Sequence, residues 1–390
     1  MRSHNSALVL NAIADAPGSS RADVAARTGL TKATVSNLVD RMITADLVVE
    51  GAVATRSGPG RPGTELHLSP SGPHGLGVEI GVDYLATRLI DLTGAVRNRW
   101  VQPIDNRVLS PTRVLARVAK AVRTALAEEV RIGGVGVAVP GLIESATGIL
   151  RVAPNLGWRE VDLRGELCRR ADLGDLPVLV GNEANFAALA ELWHGIGTRN
   201  FVHVSGEIGI GAGIVVDGGL FEGVRGFGGE IGHVLVDPRG AVCACGSRGC
   251  LERLAGQEEI LRQAGVSTPD ELLARLAADD SAAVTAVVSA ARWLGVALAG
   301  VVNLLDLPTV VLGGTFARLE PWLRGPLIAE LDQRVVSADW SPIQVLPAAL
   351  GAEAAVHGAA GSAVRAILAD PDAYVTETLR ESPVCAPPAT

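Results

Sequence analysis

Aromatic side chains are scarce in this 390-residue chain, at 3%, and of its 34 basic residues only Lys32 and Lys120 are lysine. With hydrophobic residues at 48%, Ala, Val and Leu must build the core, and a chain of this length buries a substantial one, spread over two or three domains. The shortage of lysine reads as coding bias rather than function. Positive charge is not in excess either: 34 Lys+Arg stand against 42 Asp+Glu, a net charge of -8. That excludes a globally basic nucleic-acid coat, though not a small DNA-binding module. An apolar leader is missing, because Asn11 and Asp15 interrupt the only candidate. A membrane span is missing too. The most apolar stretch, 282–312, is broken by Arg292, Asn303 and Asp306 and closed by Gly313-Gly314. It reads as a buried helix followed by a buried strand. These absences predict a cytoplasmic protein with no membrane partner. Cysteine is sparse, five in all, yet Cys243, Cys245 and Cys250 fall within eight positions. Without an export signal, that clustering points to metal rather than disulfides.

Charge is uneven along the chain. Residues 1–70 carry seven basic and six acidic side chains, while the other 320 carry 27 and 36. The N-terminal segment also has its own pattern. Ser20 to Gly29 predicts a short helix with Ser20 as N-cap, Asp23 at the third helical position and Gly29 as the turn. Thr31 caps a second helix, Lys32 to Ile43. Val24, Ala25, Leu30, Val35, Leu38 and Val39 are spaced to lock the two helices together. This is a helix-turn-helix layout, in which the second helix enters the major groove. Its outer face presents Thr31, Lys32, Ala33, Thr34, Ser36 and Asn37. These side chains suit phosphate and base-edge contacts, with Asn37 able to bond adenine in bidentate fashion. A hairpin follows, from Leu47-Val48-Val49 to Glu65-Leu66-His67-Leu68, with Arg56 and Arg61 on its Gly/Pro-rich tip. Arginines on such a wing can enter a narrow minor groove. A helical protein-interaction module is the competing reading, and the agreement of core spacing, polar face and wing argues against it.

From Gly75 onward the pattern is mixed α/β. Strands are predicted at 76–83, 85–92, 132–139, 178–180, 201–204, 214–216 and 310–312. A helix capped by Ser110-Pro111 carries the stripe Val114, Val118, Val122, Leu126, Val130. The chain has 46 glycines, many in loops at strand ends, where small ligands bind. His233, ten residues before Cys243, completes a Cys₃His set with Cys243, Cys245 and Cys250. Three sulfurs and one nitrogen suit one closed tetrahedral zinc ion of structural role, because no position remains open for water. Three free or redox-active thiols are the alternative. Cys168 and Cys385 read as unrelated.

Several motifs together resemble the ROK family (repressors, open reading frames, kinases). They are Val135-Gly136-Val137-Ala138-Val139-Pro140-Gly141, Pro154-Asn155-Leu156-Gly157-Trp158, Asn182-Glu183-Ala184-Asn185, and Gly229-Glu230-Ile231-Gly232-His233 with the cysteine run ending at Glu252. The resemblance covers nearly the whole chain, including the N-terminal winged helix of the regulator branch. It implies a two-lobed actin-like ATPase body with a sugar cleft between the lobes. It places Asn155, Asn182, Glu183, Glu230, His233 and Glu252 at the sugar, where hydroxyls need paired acceptors and amides. His233 could then serve zinc through one ring nitrogen and a sugar hydroxyl through the other. Family kinases carry an aspartate base where this chain has Glu183. Their phosphate turn, Asp-x-Gly-Gly-Thr-like, here reads Glu79-Ile80-Gly81-Val82-Asp83, and the second phosphate loop carries Glu207-Ile208 in place of the usual threonine. Added bulk and negative charge oppose phosphate there, whereas Gly313-Gly314 survives.

The resulting expectation is a winged helix-turn-helix over 1–70, a first ROK lobe over 75–198 completed by a C-terminal helix 351–369, a second lobe over 199–350 and a mobile tail over 370–390. The expected function is a sugar-responsive transcriptional regulator, a repressor, with no catalytic residue and no use for ATP. It would bind operator DNA as a homodimer or homotetramer and answer to a sugar or sugar phosphate. The competing function is an active ATP-dependent sugar kinase with an appended DNA-binding domain.

Overall fold

The computed structural model describes residues 2–53, 63–127 and 130–375. Helix α1 (Arg2–Asp15), which the sequence reading passed over, opens the chain and buries Val9, Leu10 and Ile13 on one face. A two-residue strand β1 (Ser19–Ser20) leads into α2 (Arg21–Thr28). Ser20 and Asp23 form a reciprocal capping box, and Gly29 takes φ 72° to turn the chain. Helix α3 (Lys32–Thr44) starts at Thr31, whose hydroxyl accepts from the Thr34 amide at 3.2 Å. Val24, Ala25, Val35, Leu38 and Val39 are buried between the helices, as their spacing predicts, and Leu30 packs at the margin. Strands β2 (Val48–Val53) and β3 (Thr64–Leu68) pair antiparallel, and β1 joins β3. The wing tip, with Arg56 and Arg61, lies outside the described residues.

The first body sheet has the order β11-β7-β4-β5-β6, built from β4 (His74–Ile80), β5 (Tyr84–Ile90), β6 (Val96–Pro103), β7 (Ile132–Val139) and β11 (Val178–Asn182). Helix α4 (Pro111–Leu126) covers one face with Val114, Val118 and Val122. It ends at Leu126, so Val130 falls beyond the stripe assigned to it: Ala127 already caps the helix. Between β7 and β11 lie a small sheet, β8 (Leu142–Glu144), β9 (Ile149–Ala153) and β10 (Trp158–Asp162), and helix α5 (Leu163–Ala171).

Helix α6 (Glu183–His194) leaves the end of β11 and leads to the second sheet. That sheet has the order β14-β13-β12-β15-β16, from β12 (Phe201–Gly206), β13 (Ile210–Val216), β14 (Gly219–Leu220), β15 (Thr309–Gly313) and β16 (Gln344–Pro347). Short helices α7 (Glu252–Ala255), α8 (Gln257–Ala264) and α9 (Pro269–Ala277) precede α10 (Ser281–Leu305). The 25 residues of α10 are long and apolar enough to cross a membrane. Here α10 packs in the second core beside α11 (Gly314–Arg334), and β15 follows it, which matches the buried helix and strand expected over 282–312.

Helix α12 (Ala354–Ala369) lies on the other face of the first sheet. Glycines permit the approach: a Cβ on Gly77 would stand 2.2 Å from the Val356 carbonyl, and one on Gly136 2.0 Å from that of Ala359. The far half of α12 enters the core of the winged helix, where Val364, Ile367 and Leu368 are buried with Val9, Leu10 and Val39. Asn11 donates to the Leu368 carbonyl at 3.1 Å and Ser6 to Asp372 at 3.1 Å, while Arg41 pairs with Asp372 at 3.5 Å. Tyr374 and Val375 are buried in the same core. The start of the segment expected as a mobile tail is therefore tied down, because its apolar side chains complete the joint between two domains.

Candidate functional site

A cavity of about 550 Å³ opens between the two sheets. All six residues expected at the sugar, Asn155, Asn182, Glu183, Glu230, His233 and Glu252, line it. They come from four separate places: the β9–β10 loop, the β11–α6 junction, the loop after β14 and the first turn of α7. Asn182 is the N-cap of α6. Its Oδ1 accepts from the amides of Ala184 at 2.8 Å and Asn185 at 3.3 Å, and its Nδ2 donates to the Gly141 carbonyl at 3.2 Å. Its side chain is thus spent on holding the junction that aims Glu183, a role its place in the motif did not suggest. Glu183 starts the helix, where the backbone dipole favours its charge. Burial works against that, helped by Glu230, Glu79 and Glu207 nearby, and pushes its carboxyl up to about 8. Glu252 Oε2 accepts from the Ile210 amide at 3.2 Å.

The cysteine loop adjoins this end of the cavity. Ligand atoms of His233, Cys243, Cys245 and Cys250 all lie within 4.8 Å of one another. Cys243 Sγ stands 3.8 Å from His233 Nδ1, and Cys245 Sγ 3.7 Å from Cys250 Sγ. A tetrahedron with metal–sulfur bonds of about 2.3 Å has edges of about 3.8 Å, so the donor set and its spacing fit one zinc-sized ion. Gly246 and Gly249, at φ 92° and 70°, let the loop turn back on itself, and the Cys243 amide donates to the Ser247 carbonyl at 2.8 Å. His233 presents Nδ1 to the thiols and Nε2 to Glu230, 3.9 Å from its Oε2. One ring therefore faces both the cysteine cluster and the cleft. Cys168 sits apart on α5, and Cys385 is outside the described residues.

The opposite end of the cavity is acidic. Glu79 is buried on β4, where Tyr84 donates to its Oε1 at 2.5 Å and Oε2 has no partner. Burial, with repulsion from Glu207, pushes its carboxyl up to about 8. Burial and Asp83 push Glu207 up to about 7. His203 on β12 is buried, held down to about 4, and neither ring nitrogen is partnered. Bare glycines press on this cluster. A Cβ at Gly211, Gly313 or Gly314 would come within 3.6, 2.4 or 3.0 Å of Glu183, His203 or Glu207. The sequence reading named Glu79 and Glu207 as altered phosphate-turn residues but missed Tyr84 and His203. A charged residue inside the apolar run Leu76 to Ile80 was the available signal for a buried acid.

On α3, Lys32 and Asn37 are exposed and Thr34 and Ser36 half-exposed, all opposite the buried Val35, Leu38 and Val39. The Thr31 and Thr34 hydroxyls lie 2.9 Å apart and bond to each other at the helix start.

Residues 75–365 match the ROK family model, and residues 3–56 match that of the MarR family. The chain is 30% identical over 393 residues to the xylose repressor of Caldicellulosiruptor bescii, covering 94% of this chain and 97% of that protein. It is 31% identical over 310 residues to a glucokinase of Halalkalibacterium halodurans, covering 73% and 92%. A crystal structure of a ROK family transcriptional regulator, homologous to the E. coli MLC protein, superposes with a TM-score of 0.81 at 26% identity, covering 98% of this chain and 99% of that one. The chain therefore belongs to the ROK family, with a MarR-type winged helix ahead of its sugar-kinase-like body.

Proposed function

We propose that this protein is a sugar-responsive transcriptional repressor: the winged helix binds operator DNA, and a sugar in the cavity controls that binding. The observation that carries this reading is α12. Ala354 and Ala355 at its start line the cavity, while Val364, Ile367 and Leu368 at its end share the core of the winged helix. A change at the cleft that moves α12 moves the DNA-reading head with it. A sugar achieves this only by binding one arrangement better than the other.

In this reading Lys32 contacts phosphate, Asn37 reads a base edge, and Thr31, Thr34, Ser36, Arg56 and Arg61 complete the DNA face. Two copies are needed to read two half-sites, so the repressor acts as a homo-oligomer in the cytoplasm. Asn155, Glu183, Glu230, His233 and Glu252 meet the sugar hydroxyls, and Asn182 holds Glu183 in place. His233, Cys243, Cys245 and Cys250 hold zinc, which would fix the loop bearing Glu230 and His233 and orient the imidazole. With Nδ1 turned to the thiols that would hold the ion, Nε2 would carry the proton and donate to Glu230 or to a sugar hydroxyl.

Kinase relatives make phosphoryl transfer the second reading. Val82, Asp83 and Glu207 replace the small and hydroxyl-bearing residues of the phosphate turns, and Glu183 replaces the aspartate base. Misplacing a reacting group costs about 10²-fold on its own, and phosphate must also approach buried acids. We therefore assign sensing without phosphoryl transfer. Two measurements test the assignment. Fluorescence anisotropy on operator DNA should show release by one sugar of a pentose and hexose panel. A coupled ATP assay on the same panel should stay at background. Turnover at an ordinary enzymatic rate, about 1–10³ s⁻¹, that Glu183→Gln removes would overturn it.

A further inference from the structure

We propose that the acidic end of the cavity is a binding site for a protonated amine, so that the preferred effector is an amine-bearing sugar. The inference rests on the sugar-sensing reading and adds the chemical class of the ligand. Three carboxyls, of buried Glu79 and half-buried Glu183 and Glu207, line one cavity with the imidazole of His203. Two carboxyl oxygens, Glu79 Oε2 and Glu183 Oε2, are buried without a hydrogen-bond partner, and so are both nitrogens of His203, a residue 1% exposed. Buried polar atoms normally find partners, so this many orphans on one wall mark a place for a ligand.

The chemistry of the orphans selects that ligand. Carboxyls that a nearby cation would draw into their charged form, and a neutral imidazole, offer lone pairs, and Arg159 is the only Lys or Arg lining the cavity among the described residues. It is exposed on β10, whereas Glu79 is buried on β4. The buried Arg88 guanidinium lies near Glu79 but is already paired with Glu353, so a phosphate brought to this end would still meet an excess of acids. An ammonium group brings three donors and a positive charge that Arg88 does not supply to Glu183 and Glu207. A small metal ion fits less well, since it needs several ligand atoms converging on one point. Among the described residues only the Cys/His set brings three such ligand atoms within 4.8 Å of one another. A bulkier cation carried on a polyol can bridge acids that stand farther apart.

Calorimetric titration of the full chain with glucose, 2-amino-2-deoxyglucose, 6-amino-6-deoxyglucose and glucose 6-phosphate tests the proposal. At least one amine should bind about tenfold or more tighter than glucose, the scale of one charge-assisted hydrogen bond, and glucose 6-phosphate should bind weakest. Glu207→Gln and Glu79→Gln, both isosteric, should bring the amine down to the level of glucose. Binding of glucose as tight as both amines overturns the proposal and leaves sugar sensing standing. An amine preference untouched by both variants overturns the site. Absence of binding by every sugar sinks the sensing reading and this proposal with it.

Discussion

The two ends of the cavity carry similar numbers of acids and treat them oppositely. At the sugar end most polar groups are held by the fold, Glu183 Oε2 excepted. Asn182 makes three hydrogen bonds, Glu252 accepts from a backbone amide, and His233 is fixed beside three thiols. At the other end Glu79 is met by the Tyr84 hydroxyl and the Val356 backbone, while both ring nitrogens of buried His203 have no partner. A site in use for hydroxyl recognition keeps its geometry through such secondary contacts. The second end also keeps its bare glycines, Gly313 and Gly314, pressed against His203 and Glu207.

The largest test of this contrast is Cys250→Ser. It should remove the metal and lower sugar affinity by about 10–100-fold, as loss of supporting contacts at metal sites does. Elemental analysis and calorimetry check both, and retained sugar affinity without metal would uncouple the loop from the cleft. Next comes pH. The Glu79 carboxyl rises from an ordinary 4.5 to about 8 on folding. The native state therefore holds a proton that the unfolded state has released between those values. Stability from this group is fully present below about pH 4.5 and is lost as pH rises through about 8, by a few kcal/mol at most. Denaturant titrations from pH 5 to pH 9 should show the decline, and Glu79→Gln should make it shallower, leaving the share of Glu183 and Glu207. A profile unchanged by that substitution would mean the carboxyl ionises freely.

Measured above pH 8, where the raised Glu183 carboxyl is charged, Glu183→Gln should weaken sugar binding by about 1.5–3 kcal/mol, the worth of a hydrogen bond to a charged acceptor, while leaving the fold intact. The smallest expected effect lies outside the cavity. Asn37→Ala should cost about 1–3 kcal/mol on operator DNA and nothing on random DNA, measured as the ratio of the two affinities. Equal loss on both would move Asn37 to the phosphate contacts.

Much of this was legible in the residues. The helix-turn-helix could be read because its signals are local: a capping box three residues wide, a glycine turn, and apolar positions at helical spacing. The metal set could be read because four ligands of the right chemistry lie within eighteen residues of one another. Helix α1 was passed over because its apolar face is short and was weighed only as a leader. The wing arginines could be named from sequence, but they lie outside the described residues.

Local chemistry written in short stretches of chain, such as caps, turns and the clustering of metal-ligating residue types, was open to reading before any fold was known. Distance was not. That Glu79, Glu183, His203 and Glu207 share one wall depends on strands and a helix over 100 residues apart in the chain being brought to one cavity. That α12 reaches from the cavity to the winged helix depends on Gly77 and Gly136 admitting its backbone and on Val364, Ile367 and Leu368 finding Val9 and Leu10. Burial is a property of the folded whole. The same glutamate that would be a solvated charge on a surface becomes, once desolvated among other acids, an unpartnered acceptor waiting for a donor.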